Sequence, residues 1–203
     1  MLDTICEVLK EAYSRNLITS RDGNASYRRK GENCMYITPS GTRKNVLNSE
    51  MMIKLNINTG ERVLEEQSQR NNIGLKPSGE LTLHLNLQKL HSSNRVVLHL
   101  HPTYIIAAML AGLNLQNLAE EFPEINRYTR VGPTVRSLPP VSEELAKETI
   151  KAFNLKDDGS VSYDIIGLDR HGVVSVGKDA WSAFEHIERL EHICKIVLSA
   201  KTN

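Results

Sequence analysis

Leu2, Ile5, Cys6, Leu9, Tyr13 and Leu17 recur at helical spacing. That pattern predicts an amphipathic helix over residues 3–17, with Asp3 as its candidate cap. The pattern then changes to short strands. Ala25–Tyr27 and Met35–Ile37 read as a hairpin around the Lys30–Asn33 turn, and MMIKLNINTGERVL reads as a second, turning at Asn58-Thr59-Gly60. Residues 65–79 are polar, contain Gly74, Pro77 and Gly79, and read as a loop. The stretch ELTLHLNLQKLH fits two periods. Leu81, Leu83, Leu85 and Leu87 alternate, whereas Leu83, Leu87 and Leu90 share a helical face. Leu, Gln and Lys favour helix and Ser78 can cap one, so the reading is helix.

Arg95–His101 is a near-continuous apolar run and predicts a buried strand, followed by a helix over Tyr104–Leu110. Residues 112–140 read as a long connection with a short strand near Val135. Ser142 opens a helix whose first turn carries Glu143 and Glu144. Tyr163–Asp169 and Val173–Val176 form a hairpin around Arg170-His171-Gly172. Asp179 caps a last helix that carries Trp181, Phe184, Ile187, Leu190, Ile193 and Val197. Antiparallel hairpins flanked by helices at both ends predict an α/β fold, a three-layer α/β/α sandwich around a mainly antiparallel sheet, rather than a β-α-β nucleotide-binding fold.

Composition adds limits. At 203 residues without an internal repeat the chain reads as one domain over residues 1–203. A net charge of +1 gives no general argument for nucleic-acid binding, and Arg28-Arg29-Lys30 beside a turn reads as solvated. No apolar run reaches membrane-span length, and the charged, amphipathic N-terminus is unlike a signal peptide. Three scattered cysteines without a C-x-x-C pair fit a reducing cytoplasm.

Within VVLHLHPTY, residues 96–104, His99 and His101 are two apart, so a strand presents both imidazoles on one face. They are either part of a metal site or two unrelated histidines, one buried and one exposed. His171, held in a tight turn before Gly172, and Glu80, after Pro77-Ser78-Gly79, extend the first reading. Alone, His171 is an ordinary turn residue and Glu80 an acid suited to the first turn of a helix. Together the four make the N/O ligand set that Zn²⁺ accepts. His186 and His192 do not share a helical face, and His91 ends a helix. His84, one turn after Glu80, is near enough to support the site from behind; all four stay outside the metal set. Gly23-Asn24-Ala25-Ser26, Thr38-Pro39-Ser40-Gly41 and Pro77-Ser78-Gly79-Glu80 each offer backbone N–H groups and a small polar side chain. That is how an anion such as phosphate is cradled, and it is also ordinary turn chemistry.

In this order, GNAS, TPSG, PSGE, HLHP and DRHG resemble the class II aldolase/adducin family over nearly the whole chain, and most closely its L-fuculose-1-phosphate aldolase-like members. The resemblance implies that His99, His101 and His171 bind a metal. It makes Glu80 the catalytic acid/base and the fourth ligand when substrate is absent. Gly23, Asn24, Ser40, Gly41, Ser78 and Gly79 would surround a substrate phosphate. It further implies Zn²⁺, with Mn²⁺ or Co²⁺ as alternatives on the same ligands, and a homotetramer with active sites between subunits. The expected reaction is aldol cleavage of a ketose 1-phosphate, such as L-fuculose 1-phosphate or 5-deoxyribulose 1-phosphate, to dihydroxyacetone phosphate and a short aldehyde through a metal-stabilised enediolate. No Schiff-base lysine is placed for this chemistry.

Two departures stand out. Gly79 replaces the second serine that fuculose-phosphate aldolases tend to carry before the glutamate. Tyr128 is the tyrosine of the middle connection and the candidate proton donor from a neighbouring subunit. The alternatives on the same metal are methylthioribulose-1-phosphate dehydratase and pentulose-phosphate 4-epimerase. The epimerase uses an aspartate in a segment that here reads FPEINRYTRVG and has none. A non-enzymatic adducin-like scaffold predicts missing ligands, and all are present.

Overall fold

The chain's structure is a computed structural model that describes residues 1–64, 72–89, 95–156, 158 and 160–201. Helix α1 spans Leu2–Ser14 and buries Ile5, Cys6, Val8, Leu9 and Ala12 on one face. It starts a residue before the expected cap. Met1 is the N-cap and Asp3 lies in the first turn with no capping bond. It also ends sooner than the apolar spacing suggested. Asn16 takes φ +59°, and its N–H and that of Leu17 close the helix end on Tyr13 O and Ala12 O. Leu17 is buried beyond the helix rather than on it.

Six strands form one sheet: β1 (Asn24–Arg28), β2 (Cys34–Ile37), β3 (Ile53–Asn56), β4 (Arg95–Leu100), β5 (Ile165–Leu168) and β6 (Gly172–Gly177). Their order is β3-β2-β1-β4-β6-β5, and every neighbouring pair is antiparallel. The central strand β4 is buried along its whole length. Its alternation sorts the core. Val96, Leu98 and Leu100 pack with α1 and with two later helices, α3 (Thr103–Leu110) and α7 (Ala180–Lys201). Val97 faces the opposite layer, formed by α2 (Leu81–Lys89) and α6 (Glu143–Phe153). The α/β/α layering and the mainly antiparallel sheet are as expected, and α2 is a helix. Residues 65–71 of the expected loop, and His91, lie outside the described residues.

The middle connection differs from its reading. It contains α4 (Leu115–Glu121) and α5 (Pro123–Tyr128), and Val135 makes only an isolated parallel bridge to Leu168. Asn114 caps α4 by accepting from Asn117 N at 3.1 Å, and Pro123 opens α5, a position where its missing N–H is harmless. Ser142 caps α6 through Leu145 N, and Asp179 caps α7 through Ser182 N at 2.7 Å.

Gly172 opens β6 against the end of β4. A Cβ there would strike the Leu100 carbonyl and lie 3.0 Å from Cδ2 of His101. Gly172→Ala is therefore expected to lower stability by roughly 1–3 kcal/mol. A thermal melt checks this; an unchanged midpoint would show that β4 and β6 can part without loss.

Candidate active site

His99 is the last residue of β4 on the Val97 side of the sheet and is 1% exposed. It pairs in register with Asn24 of β1 on one side and Val174 of β6 on the other. His101 follows one residue beyond the strand end, on the same side. His171 sits in the β5–β6 turn, where its N–H donates to Leu168 O at 3.0 Å and Arg170 takes φ +58°. One ligating atom from each of the three rings lies within 4.8 Å of the others. His99 Nδ1–H donates to Val173 O at 2.9 Å. Its Nε2 lone pair is thereby aimed at His101 Nε2, 2.9 Å away. The buried Nδ1 of His171 has no hydrogen-bond partner.

Burial holds all three rings neutral. His99 is pushed well below the ordinary histidine range, by burial first and by His101 and His171 next. His101 is pushed down to about 4 by burial, with His171 adding to the effect and Asp22 opposing it. His171 is lowered by burial against the pull of the Glu80 carboxylate. Neutral imidazole is the form that binds a metal ion. Converging neutral donors and an orphaned buried ring nitrogen fit a divalent cation of the zinc type.

Glu80 lies just before α2 and is buried, but it stands outside the three-histidine group. Its Oε1 accepts from Val141 N at 3.2 Å. Val141 follows Pro139-Pro140 and has φ +65°, which a β-branched residue rarely adopts. Glu80, the three histidines, Gly23, Asn24, Ser40, Gly41, Ser78, Gly79 and Val141 line one cavity of about 470 Å³. Thus all the expected site residues except Tyr128 face one space. Tyr128 ends α5, is 48% exposed, and has the Arg127 and Arg189 guanidiniums over its ring at 5.4 and 5.3 Å.

The two Pro-Ser-Gly loops are tied together. Ser40 N donates to Lys76 O at 2.8 Å and Ser78 N to Thr38 O at 3.0 Å. These two N–H groups are therefore not free for an anion, contrary to the expectation from the motifs. The Ser40 and Ser78 hydroxyls and the Gly41 and Gly79 N–H groups remain. Gly23 is required by its setting: φ is +74°, and a Cβ would lie 3.1 Å from His99 O and 3.0 Å from Ile18 Cγ2.

Sequence reading missed Arg21 and Asp22, which line the cavity, and Lys44, which is bonded to the loops that carry its lining residues. Lys44 is 1% exposed, and its Nζ donates to Arg21 O and Thr42 O, both at 3.1 Å. It binds the Asp22-Gly23-Asn24 loop to the Ser40-Gly41 loop. The run GTRKNVL carries no apolar period that would mark its lysine as buried. Burial pushes Lys44 down from 10.5 to about 8. Between these values the folded chain binds fewer protons than the unfolded chain, so the Lys44 contribution to stability rises with pH. The rise amounts to about 3 kcal/mol at most. The thiols of Cys6 and Cys194, pushed up to about 11 and about 12 by burial, act in the opposite sense. The check is therefore a difference: from pH 8 to 10.5, wild type is expected to gain stability relative to Lys44→Met.

The model of the "Class II Aldolase and Adducin N-terminal domain" family matches residues 3–198. An L-fuculose phosphate aldolase of Methanococcus maripaludis is 29% identical over 192 residues, covering 95% of this chain and 91% of its own. A 3-oxo-tetronate 4-phosphate decarboxylase of Pectobacterium atrosepticum is 28% identical, covering 91% of this chain and 78% of its own. Among solved structures, L-fuculose-1-phosphate aldolase from Thermus thermophilus superposes with a TM-score of 0.76 at 22% identity, covering 99% of this chain and 94% of that one. The family model spans nearly the full length of a chain whose three histidines converge in one cavity: the chain belongs to the class II aldolase and adducin family.

Proposed function

We propose that this chain is a metal-dependent aldolase that cleaves a ketose 1-phosphate, L-fuculose 1-phosphate or a near analogue such as 5-deoxyribulose 1-phosphate, to dihydroxyacetone phosphate and a short aldehyde. One observation carries the reading: neutral imidazoles, a buried carboxylate and two glycine-serine loops converge on one cavity. His99, His101 and His171 would hold the ion, Zn²⁺ or alternatively Mn²⁺ or Co²⁺, with Glu80 as a fourth ligand before substrate enters. Bound there, the ion supplies Lewis-acid polarisation of a substrate carbonyl.

The chain's own groups do the rest. The hydroxyls of Ser40 and Ser78, the N–H groups of Gly41 and Gly79 and the Asn24 amide hold the phosphate. Binding energy far from the reacting carbons thereby fixes their position. The C4 hydroxyl loses its proton as the C3–C4 bond breaks. Tyr128 of a neighbouring subunit is our candidate for exchanging that proton. The electron pair stays on C3, in conjugation with the C2 carbonyl; the Glu80 carboxylate, displaced by substrate, takes up a proton from water in exchange for the one the C4 hydroxyl releases, and delivers it to C3 to complete dihydroxyacetone phosphate. A site completed by a neighbouring subunit requires an oligomer, and a homotetramer is the form we propose; the exposed Leu110, Trp181 and Ile196 supply apolar surface for such contacts. No helix among the described residues is long and apolar enough to cross a membrane.

The similarity to 3-oxo-tetronate 4-phosphate decarboxylases supports a second reading, in which the bond broken releases carbon dioxide instead of an aldehyde. Both reactions leave an electron pair next to a carbonyl, so one site serves either. The test is an assay of the metal-loaded protein with fuculose, rhamnulose, ribulose, xylulose and 5-deoxyribulose 1-phosphates. Release of dihydroxyacetone phosphate that a chelator abolishes supports the aldolase. Release of carbon dioxide from a 3-oxo acid phosphate, with no triose phosphate from any ketose, replaces it with the decarboxylase.

A further inference from the structure

His84 belongs to neither the histidine cluster nor the cavity wall, yet it is a fully buried polar group one layer behind both. It is 0% exposed on α2 and points at β1. Its Nδ1 lies 2.7 Å from Ser26 Oγ, and its Nε2 lies 2.5 Å from Asn24 Oδ1. One helical turn further on, Gln88 Nε2 donates to Ser26 Oγ at 3.0 Å and to Arg95 O at 3.3 Å. Asn24 is the one member of this chain that reaches the cavity, where it is 9% exposed.

The donors and acceptors fit one arrangement. The Arg95 carbonyl can only accept, so it fixes the Gln88 amide with its nitrogen toward Ser26. Ser26 thus accepts from Gln88, and its single proton finds an acceptor only at His84 Nδ1. The imidazole then carries its own proton on Nε2 and donates it to Asn24 Oδ1. Burial, which pushes His84 down to about 3, keeps the ring neutral throughout. With its oxygen engaged from behind, the Asn24 amide turns Nδ2, and two N–H donors, toward the cavity. Without this support the amide is free to rotate and present its oxygen, which would repel a phosphate.

We propose that His84, through the Gln88–Ser26–His84–Asn24 chain, is a positioning residue that locks the Asn24 amide with its N–H donors facing the substrate phosphate. This rests on the reading of the cavity as a sugar-phosphate site. It assigns His84 no contact with substrate or metal.

Two measurements test it. In ¹⁵N-edited spectra of the whole protein, the His84 ring is expected as the neutral Nε2–H tautomer. The Nδ1–H tautomer, or a charged ring, would overturn the proposal without reference to any activity. The second measurement is the affinity for inorganic phosphate, with KM and kcat where turnover is found. His84→Leu is expected to weaken phosphate binding and raise KM about tenfold, while kcat falls far less and metal content is unchanged. His84→Gln, which keeps a donor near the Nε2 position, should recover most of the loss. In an Asn24→Ala background, His84→Leu should add little. Additive losses, or a falling kcat with unchanged phosphate affinity, would mark His84 as merely structural and sink the proposal. If Asn24→Ala leaves phosphate affinity unchanged, the proposal falls; if the wild-type protein binds no phosphate at all, the sugar-phosphate reading fails instead, while the tautomer still reports on the hydrogen-bond chain. Should His84→Leu not fold, His84→Gln and the wild-type spectrum decide.

Discussion

Glu80→Gln is expected to lower kcat by roughly 10³-fold while the protein keeps its metal. The substitution is nearly isosteric, and the amide oxygen can still accept from Val141 N, so the buried side chain has no reason to move. What glutamine cannot do is carry a proton to carbon. The three histidines converge without Glu80, so metal content is not expected to follow activity. The decisive comparison is kcat against metal content on the same purified sample. Full turnover in the variant would remove Glu80 from the proton transfer. Loss of both metal and turnover would make it chiefly a ligand.

His99→Ala is expected to reduce metal content to background and to abolish turnover with it. His99 is the most deeply buried of the three rings, and its orientation is fixed by the bond to Val173 O. The alanine leaves a cavity and an unpaired carbonyl in the centre of the sheet. Chelated protein should therefore lose a further 1–3 kcal/mol or so relative to chelated wild type. Metal analysis and denaturant unfolding of the two chelated proteins give both quantities. Unchanged metal content would take His99 out of the site, whatever happened to activity.

Much of this architecture was legible because β4 is simple. The apolar run Arg95–His101 marked a buried strand and period two put His99 and His101 on one face; the structure adds that Val97 shares that side and that Val96, Leu98 and Leu100 take the other. α2 was ambiguous for a physical reason. It packs on two sides, Leu83 and Leu87 against α6 and the sheet, and Leu81 and Leu85 against Met35, Ile37, Ile53 and Leu55, so its apolar residues follow no single period. α4 and α5 were missed although Asn114 and Pro123 are recognisable start signals; both helices are shorter than a clear periodic window. The residues that line the cavity were reached through ordered motifs, but their support was not. The Ser40–Lys76 and Ser78–Thr38 bonds join segments far apart in sequence, and so does Lys44 with Arg21. Such pairings are a property of the folded chain, and no local pattern announces them.

The backbone at Val141 carries a further consequence. A β-branched residue held in the left-handed region stores about 1–3 kcal/mol of strain. In this chain the strained residue supplies the N–H that retains Glu80. The carboxylate is thus held by a compressed spring. When Glu80 leaves Val141, the lost hydrogen bond is offset by freedom for the Pro140–Val141 corner to relax, and the exchange runs close to level ground. The wall that contacts the acid is therefore able to yield, and the cavity can change width on that side while His99, held in β4, stays fixed.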